Sequence, residues 1–502
     1  MEHAETAQLA AVCGAIGAVL VLLARGRAAL VAGLVVLAAA ETTLAASLGG
    51  DVLDKLASSA GAVAAAAGMG LVGLAAAVLA RRPALLPIAV LAVAPFRPPL
   101  AFSSSNQFFV SVAEDGRLGR LLPLYFVLAA GAAALAWRAL RRESPRPLPR
   151  TLALPAAGFF AFACLSLLWA EDVEAGTNLL LFFTLPFALL LATVARAEFP
   201  PWSPRVLAGV SIALACGFAA VGIGQAITHE LFFYAPNLAV SNANTDYFRV
   251  TSLFGDPSLY GRHVVLGIGV VLVLLATSRS RTWPLVAALA LMWSGLLFSY
   301  SQSSMAALLL VIAALAIVTG DRRVRRAVGV LALAGALLAI GFAAVKVIGG
   351  ESLNQITSDR TERVEDAVRV IEEEPLRGVG IGGQPRASRL LAGSDRPNAN
   401  FVSHTTPLTV AAELGAIGLG LYVWLLAGGA RVIEGVRRRE PTLGLALAAS
   451  FLALFVHALF YSGFLEDPLT WVVLGVAAGW LATAQADEPQ PSRRRTTPAP
   501  AT

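Results

Sequence analysis

Charged side chains are scarce in this sequence. They make up 14% of its 502 residues, where soluble domains average about 25%. With 57% hydrophobic residues and a mean hydropathy of +0.72, that scarcity excludes an ordinary soluble protein, because the chain lacks the polar surface to cover so large a core. Lysine is nearly missing, with only Lys55 and Lys346, so arginine carries the positive charge. Cysteine is confined to Cys13, Cys164 and Cys216, each in an apolar span. Three such residues read as small buried hydrophobes and exclude a disulfide framework. The opening "MEHAETAQ" lacks the basic cluster of a secretory signal, so the first apolar span is expected to be retained. Alternation of apolar and polar residues over about ten positions is also lacking, which excludes a membrane β-barrel.

What the chain has in abundance is apolar runs of roughly 17–25 residues, the length that crosses a bilayer as a helix. The expected architecture is all-α, a polytopic membrane helical bundle of about 14–15 transmembrane helices with a large, partly helical extracytoplasmic loop. The spans fall at 8–24, 28–48, 60–80, 84–96, 121–137, 151–170, 178–195, 206–228, 263–278, 283–299, 303–319, 327–345, 405–428, 442–464 and 469–485. Arginine clusters in the links "ARGR", "RALRRESPRPLPR", "RAEFPPWSPR", "SRSRT", "DRRVRR" and "RVIEGVRRRE", at Arg81 and Arg82, and in the tail "SRRR". With fifteen spans these links all occupy one face, and cytoplasmic loops collect such residues. The N-terminus is then outside and the C-terminus inside an inner, cytoplasmic membrane.

The chain divides into N-terminal helices at 1–150, central helices at 151–345 with an outer loop at 229–262, a loop domain at 346–404, C-terminal helices at 405–485, and a Pro- and Thr-rich tail at 486–502 expected to be disordered. In the loop domain, "SDRTERVEDAVRVIEEEP" predicts a helix with a capping box from Asp359 and Glu362, ended by Pro375. Val364, Ala367, Val368 and Ile371 are its expected apolar stripe, and Arg360, four residues before Val364, shares that face. Arg363 and Arg369 have Glu362, Glu365 and Glu373 in reach on the wet face. "GVGIGG" follows a helix where a nucleotide-binding turn would follow a strand, so it reads as a flexible turn. Glu41 is the only acid deep inside a span, and intramembrane acids are functional suspects. "FLEDP" at 464–468 reads as a loop, and His457 as structural.

Three stretches on the outer face carry chemistry: "RVTSLFGDPSLYGRH" (249–263), "RTERVEDAVRVIEEEPLRGVGIGG" (360–383) and "SHTTPLTVAAELGAIG" (403–418). Together they resemble the O-antigen ligase and Wzy-type O-antigen polymerase superfamily of polytopic membrane glycan transferases. Arg249 and Pro257 fit that family's arginine and "G-x-F-x-x-P" stretch. Arg360, Pro375, Gly378 and Gly380 fit its arginine and "P-x-x-G-x-G" turn. His404, Leu408, Glu413, Gly415 and Gly418 fit its "H-N-x-x-L…E-x-G-x-x-G" segment. The departures are Thr405 where asparagine is usual, Val364 where tryptophan is usual, and "SQSS" (301–304) where "S-R" often opens a span.

The resemblance implies a GT-C-like bundle acting as a glycosyltransferase. A glycan would move from an undecaprenyl pyrophosphate carrier to an acceptor hydroxyl, on a glycan, lipid or protein, outside the cytoplasmic membrane. It also implies catalytic roles for His404, Arg249 and Arg360. Arg262, His263, Arg363 and Glu413 are substrate-binding candidates, Arg262 and His263 being additional to the family's motifs. Guanidinium groups suit a leaving diphosphate, and a neutral imidazole suits an attacking hydroxyl. The outer loops hold no Asp-x-Asp motif, so no metal or cofactor is expected, and nothing points to nucleic acid as a partner. Ligase and polymerase share the donor and differ in acceptor. A secondary transporter is disfavoured by spans nearly free of charge. A scaffold without activity inside a glycan-assembly complex is the remaining alternative.

Overall fold

The computed structural model describes residues 2–48, 59–102, 110–112, 120–233, 235–277, 282–348, 360–461, 463 and 465–486. The helices, in chain order, begin with α1 (Glu2–Leu23), α2 (Arg27–Leu48), α3 (Ser59–Arg81) and α4 (Leu85–Val93). A short antiparallel hairpin, β1 (Leu100–Phe102) with β2 (Val110–Val112), follows. Next come α5 (Leu122–Leu140), α6 (Arg150–Leu165), α7 (Val173–Leu179), α8 (Leu185–Val194), α9 (Ser203–Thr228), α10 (Pro236–Ala243), α11 (Pro257–Thr277), α12 (Trp283–Leu297), α13 (Gln302–Thr319) and α14 (Arg322–Ile348). The loop domain contributes α15 (Arg360–Glu373) and α16 (Gln384–Leu391), and the chain closes with α17 (Thr406–Arg439), α18 (Pro441–Ala458) and α19 (Pro468–Ala486).

This is a polytopic helical membrane protein. Among the described residues ten helices are long and apolar enough to cross a bilayer, and three shorter apolar helices join them. Each expected span coincides with a helix once α7 and α8, joined by a π-helical turn at Leu180–Thr184, count as one crossing. Proline opens many of them: α5, α8, α9, α12, α17 and α18 carry it in the first turn. There the missing N–H costs no intrahelical bond and the fixed φ already suits a helix. Among the described residues two large apolar cores result, with a third, small one of Val370, Val379, Ala387 and Ala412 at the loop helix. Of the two large cores, the larger joins α1, α2, α5 to α8, α17 and α19; the smaller lies among α9, α11, α12, α13 and α18. Alanine is prominent in both, as expected where helices approach closely without a water-driven hydrophobic force.

Three expectations need correcting. α17 runs on to Arg439 rather than stopping near 428, because the arginines of its last turn, Arg437 to Arg439, complement the helix dipole. The buried face of α15 is Asp366, Ala367 and Val370, while Val364 and Val368 are 39% and 37% exposed. The helix is rotated from its apolar stripe because its inner side meets α16 and α17, where Ser388 Oγ donates to the Asp366 carbonyl. "GVGIGG" is tightly held and buried, for the reason given next. Asp359, the expected capping residue, and the tail at 487–502 lie outside the described residues.

Candidate functional site

The site begins with a break in a helix. Gly415, inside α17, has φ 63° and ψ −166°, outside helical space. The break frees backbone groups, and the turn after α15 takes them. Val379 N–H donates to Ala412 O at 3.0 Å and Gly380 N–H to Glu413 O at 2.8 Å. Ala416 N–H donates to Pro375 O at 2.8 Å and Ile417 N–H to Leu376 O at 3.2 Å. The approach is so close that a Cβ on Gly415 would sit 2.3 Å from the Leu376 carbonyl, and one on Gly378 would sit 2.4 Å from that of Glu413. The two glycine motifs are therefore halves of one joint, which fastens α15 to the entrance of α17. Non-helical backbone at such depth is tolerated because it is buried in protein and paired. Glu413 belongs to this joint: buried, it accepts the backbone N–H groups of Gly382 and Gln384.

Gln384 carries the joint on to His404. Its side-chain amide donates to Phe401 O at 2.9 Å and accepts from Ser403 N–H at 3.1 Å. On the other side Thr405 Oγ1 donates to Leu459 O at 3.2 Å, tying the strand to the end of α18. His404 is thus held between two anchors, half-buried. Arg363 Nη1 donates to its Nε2. Arg360, one turn earlier on α15, lies with its guanidinium carbon 6.0 Å from the centre of the Phe460 ring. The Tyr461 ring is 6.5 Å from that of His404. Burial holds the His404 pKa below the ordinary histidine value; the charges of Arg363 and Arg360 push the same way, and Asp256 opposes them. Arg360, Arg363 and His404 therefore share one site, with Asp256 acting on it electrostatically.

Arg249 is placed at the same end of the bundle but makes different contacts. Asn242 brackets its backbone with two 3.0 Å hydrogen bonds, and its Nε donates to Ser299 O at 3.4 Å. From Ser299 a run of hydroxyls leads inward: Ser301 N–H donates to Ser299 Oγ, Ser301 Oγ meets Ser303 Oγ at 3.1 Å, and Ser303 Oγ lies 3.2 Å from His457 Nε2. His457 also stands 3.0 Å from Ser258 O, at the start of α11. The "SQSS" stretch thus supplies the inner wall of the site end.

Arg262 and His263 are engaged inside the bundle. Arg262 pairs with Asp467 at 2.8 Å, with side chains only 9% and 1% exposed. His263 Nδ1 bonds Leu259 O at 2.8 Å and its ring stacks on Phe254 at 4.5 Å. Around this pair sit Glu466 and Arg97. Burial raises the Glu466 pKa against the pull of Arg97 and Arg262, and burial lowers that of Arg97 against the pull of Asp467. "FLEDP" is therefore more than a loop, since it delivers both acids to this cluster. Reading the sequence by motif missed Asp256, Tyr461, Ser303 and this cluster. The available signals were Arg97, an arginine on the face away from the basic links, and two adjacent acids, Glu466 and Asp467, between apolar spans.

A small cavity of about 80 Å³ beside the joint is lined by Glu413, Glu466, Thr406, Thr409 and Trp471. A larger one of about 650 Å³ opens at the opposite end, between Arg205, Thr277 and Glu440, so size does not mark the site. Glu41, in α2, has a buried carboxylate oxygen lacking a hydrogen bond among the described residues. Among the described residues no group of His, Cys, Asp and Glu side chains converges to hold a metal.

No curated protein matches the chain. The family model described as O-antigen ligase (Wzy_C) matches residues 287–423, which run from α12 through the loop helix and His404 into α17. The stretch that holds Arg360, Arg363, His404 and both halves of the glycine joint lies within the residues that match this O-antigen ligase model, and the match supports a place in the O-antigen ligase and polymerase superfamily.

Proposed function

We propose that the protein is an O-antigen ligase-like glycosyltransferase that moves a glycan from an undecaprenyl pyrophosphate carrier to an acceptor hydroxyl on the outer face of the cytoplasmic membrane. The observation that carries this reading is the meeting of Arg360, Arg363 and His404 within the matched domain. In the reaction the acceptor hydroxyl gives its proton to His404 Nε2 while its oxygen bonds the anomeric carbon. The bond from that carbon to the carrier oxygen breaks, and its electron pair leaves on the diphosphate. Arg360 and Arg363 offset the charge that develops there, with Arg249 approaching from the α12–α13 side. Preorganised guanidinium groups suit this task because they stay charged at a low-dielectric interface and match phosphate oxygens two at a time. The arginine-rich links gather at the other end of the bundle, which supports an extracytoplasmic site.

The test is transfer from a lipid-diphosphate glycan by the purified protein in lipid. His404→Ala is expected to lower the rate by about 10²–10⁴-fold, the contribution of a general base, with an unchanged thermal unfolding midpoint. Retained transfer in that variant would remove the assignment.

A further inference from the structure

Arg363 occupies the atom that the proposed chemistry needs. Its Nη1 donates to His404 Nε2. An arginine has donors only, so Nε2 must be the acceptor, and the ring is neutral with its proton on Nδ1. A general base offers the same lone pair to the incoming hydroxyl. While Arg363 holds it, that lone pair is committed.

The surroundings leave the side chain, rather than the backbone, as the part that moves. α15 is fixed to α17 by the four backbone bonds of the glycine joint, and His404 is held by Gln384 through Ser403 and by Thr405. Arg360 and Arg363 lie one turn apart on the same helix face. A neutral imidazole nitrogen offers one acceptor. A diphosphate offers several charged oxygens, which add the attraction of opposite charges and can accept two N–H groups of one guanidinium at a time. Arg360 would start the capture of such an anion, and Arg363 is next in line.

We propose that Arg363 is a substrate-operated cover on the base: it caps His404 Nε2 until a lipid-borne diphosphate draws it away, so the base is exposed only after the donor has bound. The exchange makes and breaks no covalent bond. An N–H···N hydrogen bond is replaced by N–H···O⁻ bonds, and the Nε2 lone pair is released for the acceptor O–H. Binding is then ordered, donor before acceptor. This inference rests on the reading of His404 as the base and of the donor as a diphosphate.

The test reads His404 directly. Diethyl pyrocarbonate acylates a free neutral imidazole nitrogen, and peptide mass spectrometry resolves each histidine. The full chain would be labelled in nanodiscs of phosphatidylcholine and phosphatidylglycerol, with and without undecaprenyl diphosphate. Exposed His229 serves as the reactive reference and buried His457 as the silent one. His404 is expected to react slowly in plain lipid and roughly tenfold faster with undecaprenyl diphosphate, the fold-change that loss of one hydrogen bond to a charged group gives. Arg363→Gln is expected to react fast in both conditions, with the His229 and His457 rates unchanged as evidence of an intact fold. Inorganic pyrophosphate is run beside the lipid. A response to either form supports the cover, and the form that acts at lower concentration tells a lipid-borne from a free diphosphate.

A wild-type rate indifferent to, or slowed by, diphosphate overturns the cover. So does an Arg363→Gln rate equal to that of the wild-type protein. If His404→Ala abolishes transfer while labelling ignores diphosphate, the cover is lost and the base assignment stands. If His404→Ala transfers normally, the base assignment is lost whatever the labelling shows.

Discussion

The two ends of the bundle use the same residue types differently. At the basic end Glu434 holds Arg437 at 2.6 Å and Arg438 at 2.9 Å, all within one helix, with Arg438 76% exposed. At the site end Arg262 meets Asp467 across 205 residues of sequence, both nearly sealed from solvent, and Arg363 is spent on a histidine. Water can replace the partners of these exposed arginines, although the same end also holds Arg196, buried and bonded to the Val21, Ala24 and Ala192 carbonyls. At the site end, Arg262 is nearly sealed from water with Asp467 as its ion-pair partner, and a charge in low dielectric is stable only when paired. Counting arginines favours the basic end; asking which arginines form buried ion pairs favours the end proposed to carry the site.

The sharpest way to break this contrast is Asp467→Ala. It leaves the Arg262 charge buried and unpaired, which costs about 3–5 kcal/mol. The unfolding midpoint in detergent should fall steeply, and adding Arg262→Met should recover most of the loss. A loss no larger than that of an exposed-pair variant would erase the distinction between the ends.

Next in size is the glycine joint. Gly415→Ala meets a positive φ, a strain of order 1–3 kcal/mol, and also drives a Cβ into the Leu376 carbonyl. Because the joint sets α15 against His404, transfer should fall by more than stability does. Gly420→Ala in the same helix has open space at its Cβ and is the matched control, expected to be neutral or slightly stabilising. Equal effects of the two substitutions on transfer would detach the joint from the site.

A smaller effect distinguishes the charges around His404. The base must be neutral, so transfer is lost as pH falls through the pKa of the ring. That pKa is held below its usual value near 6.5 by burial, by Arg363 and by Arg360, so the acid limb of the pH–rate profile should lie below the ordinary histidine range. Arg360→Gln removes one repelling charge and should move the limb upward. A limb that stays in place in this variant would mean that burial and Arg363 set it without Arg360.

Much of the fold was legible in the sequence because a membrane span is a local property: twenty apolar residues declare themselves without reference to the rest of the chain. Arg360 and His404 were legible for a related reason, each standing in a short motif. The Arg262–Asp467 pair was not, since nothing local in "GRH" or "FLEDP" shows that they meet. Arg262 and His263 consequently look free in the sequence and are engaged in the structure. α15 was misread for a different reason. Its apolar stripe suggests one buried face, but Asp366 is buried through backbone contacts with α16, and Val364 is left outside. Glu413 looked like a site residue by motif, whereas its carboxylate is consumed by two backbone donors of the joint that its own helix break creates.

The smallest expected effect is at the basic end, and it bears on the comparison as directly as the largest. Glu434→Gln removes the anionic partner of Arg437 and Arg438 without changing the shape of the side chain. Both guanidinium groups face water, which hydrates them as well as the carboxylate did, and salt already screens what attraction exists there. The unfolding midpoint should match that of the wild-type protein within error at low and at high salt. The helix should also keep its length to Arg439, because the arginines at its C-terminal turn interact favourably with the helix dipole whether or not Glu434 is charged. If instead the midpoint fell as far as in Asp467→Ala, exposure would not be what separates the two ends, and the buried pairing around Arg262 would lose its claim to mark the functional one.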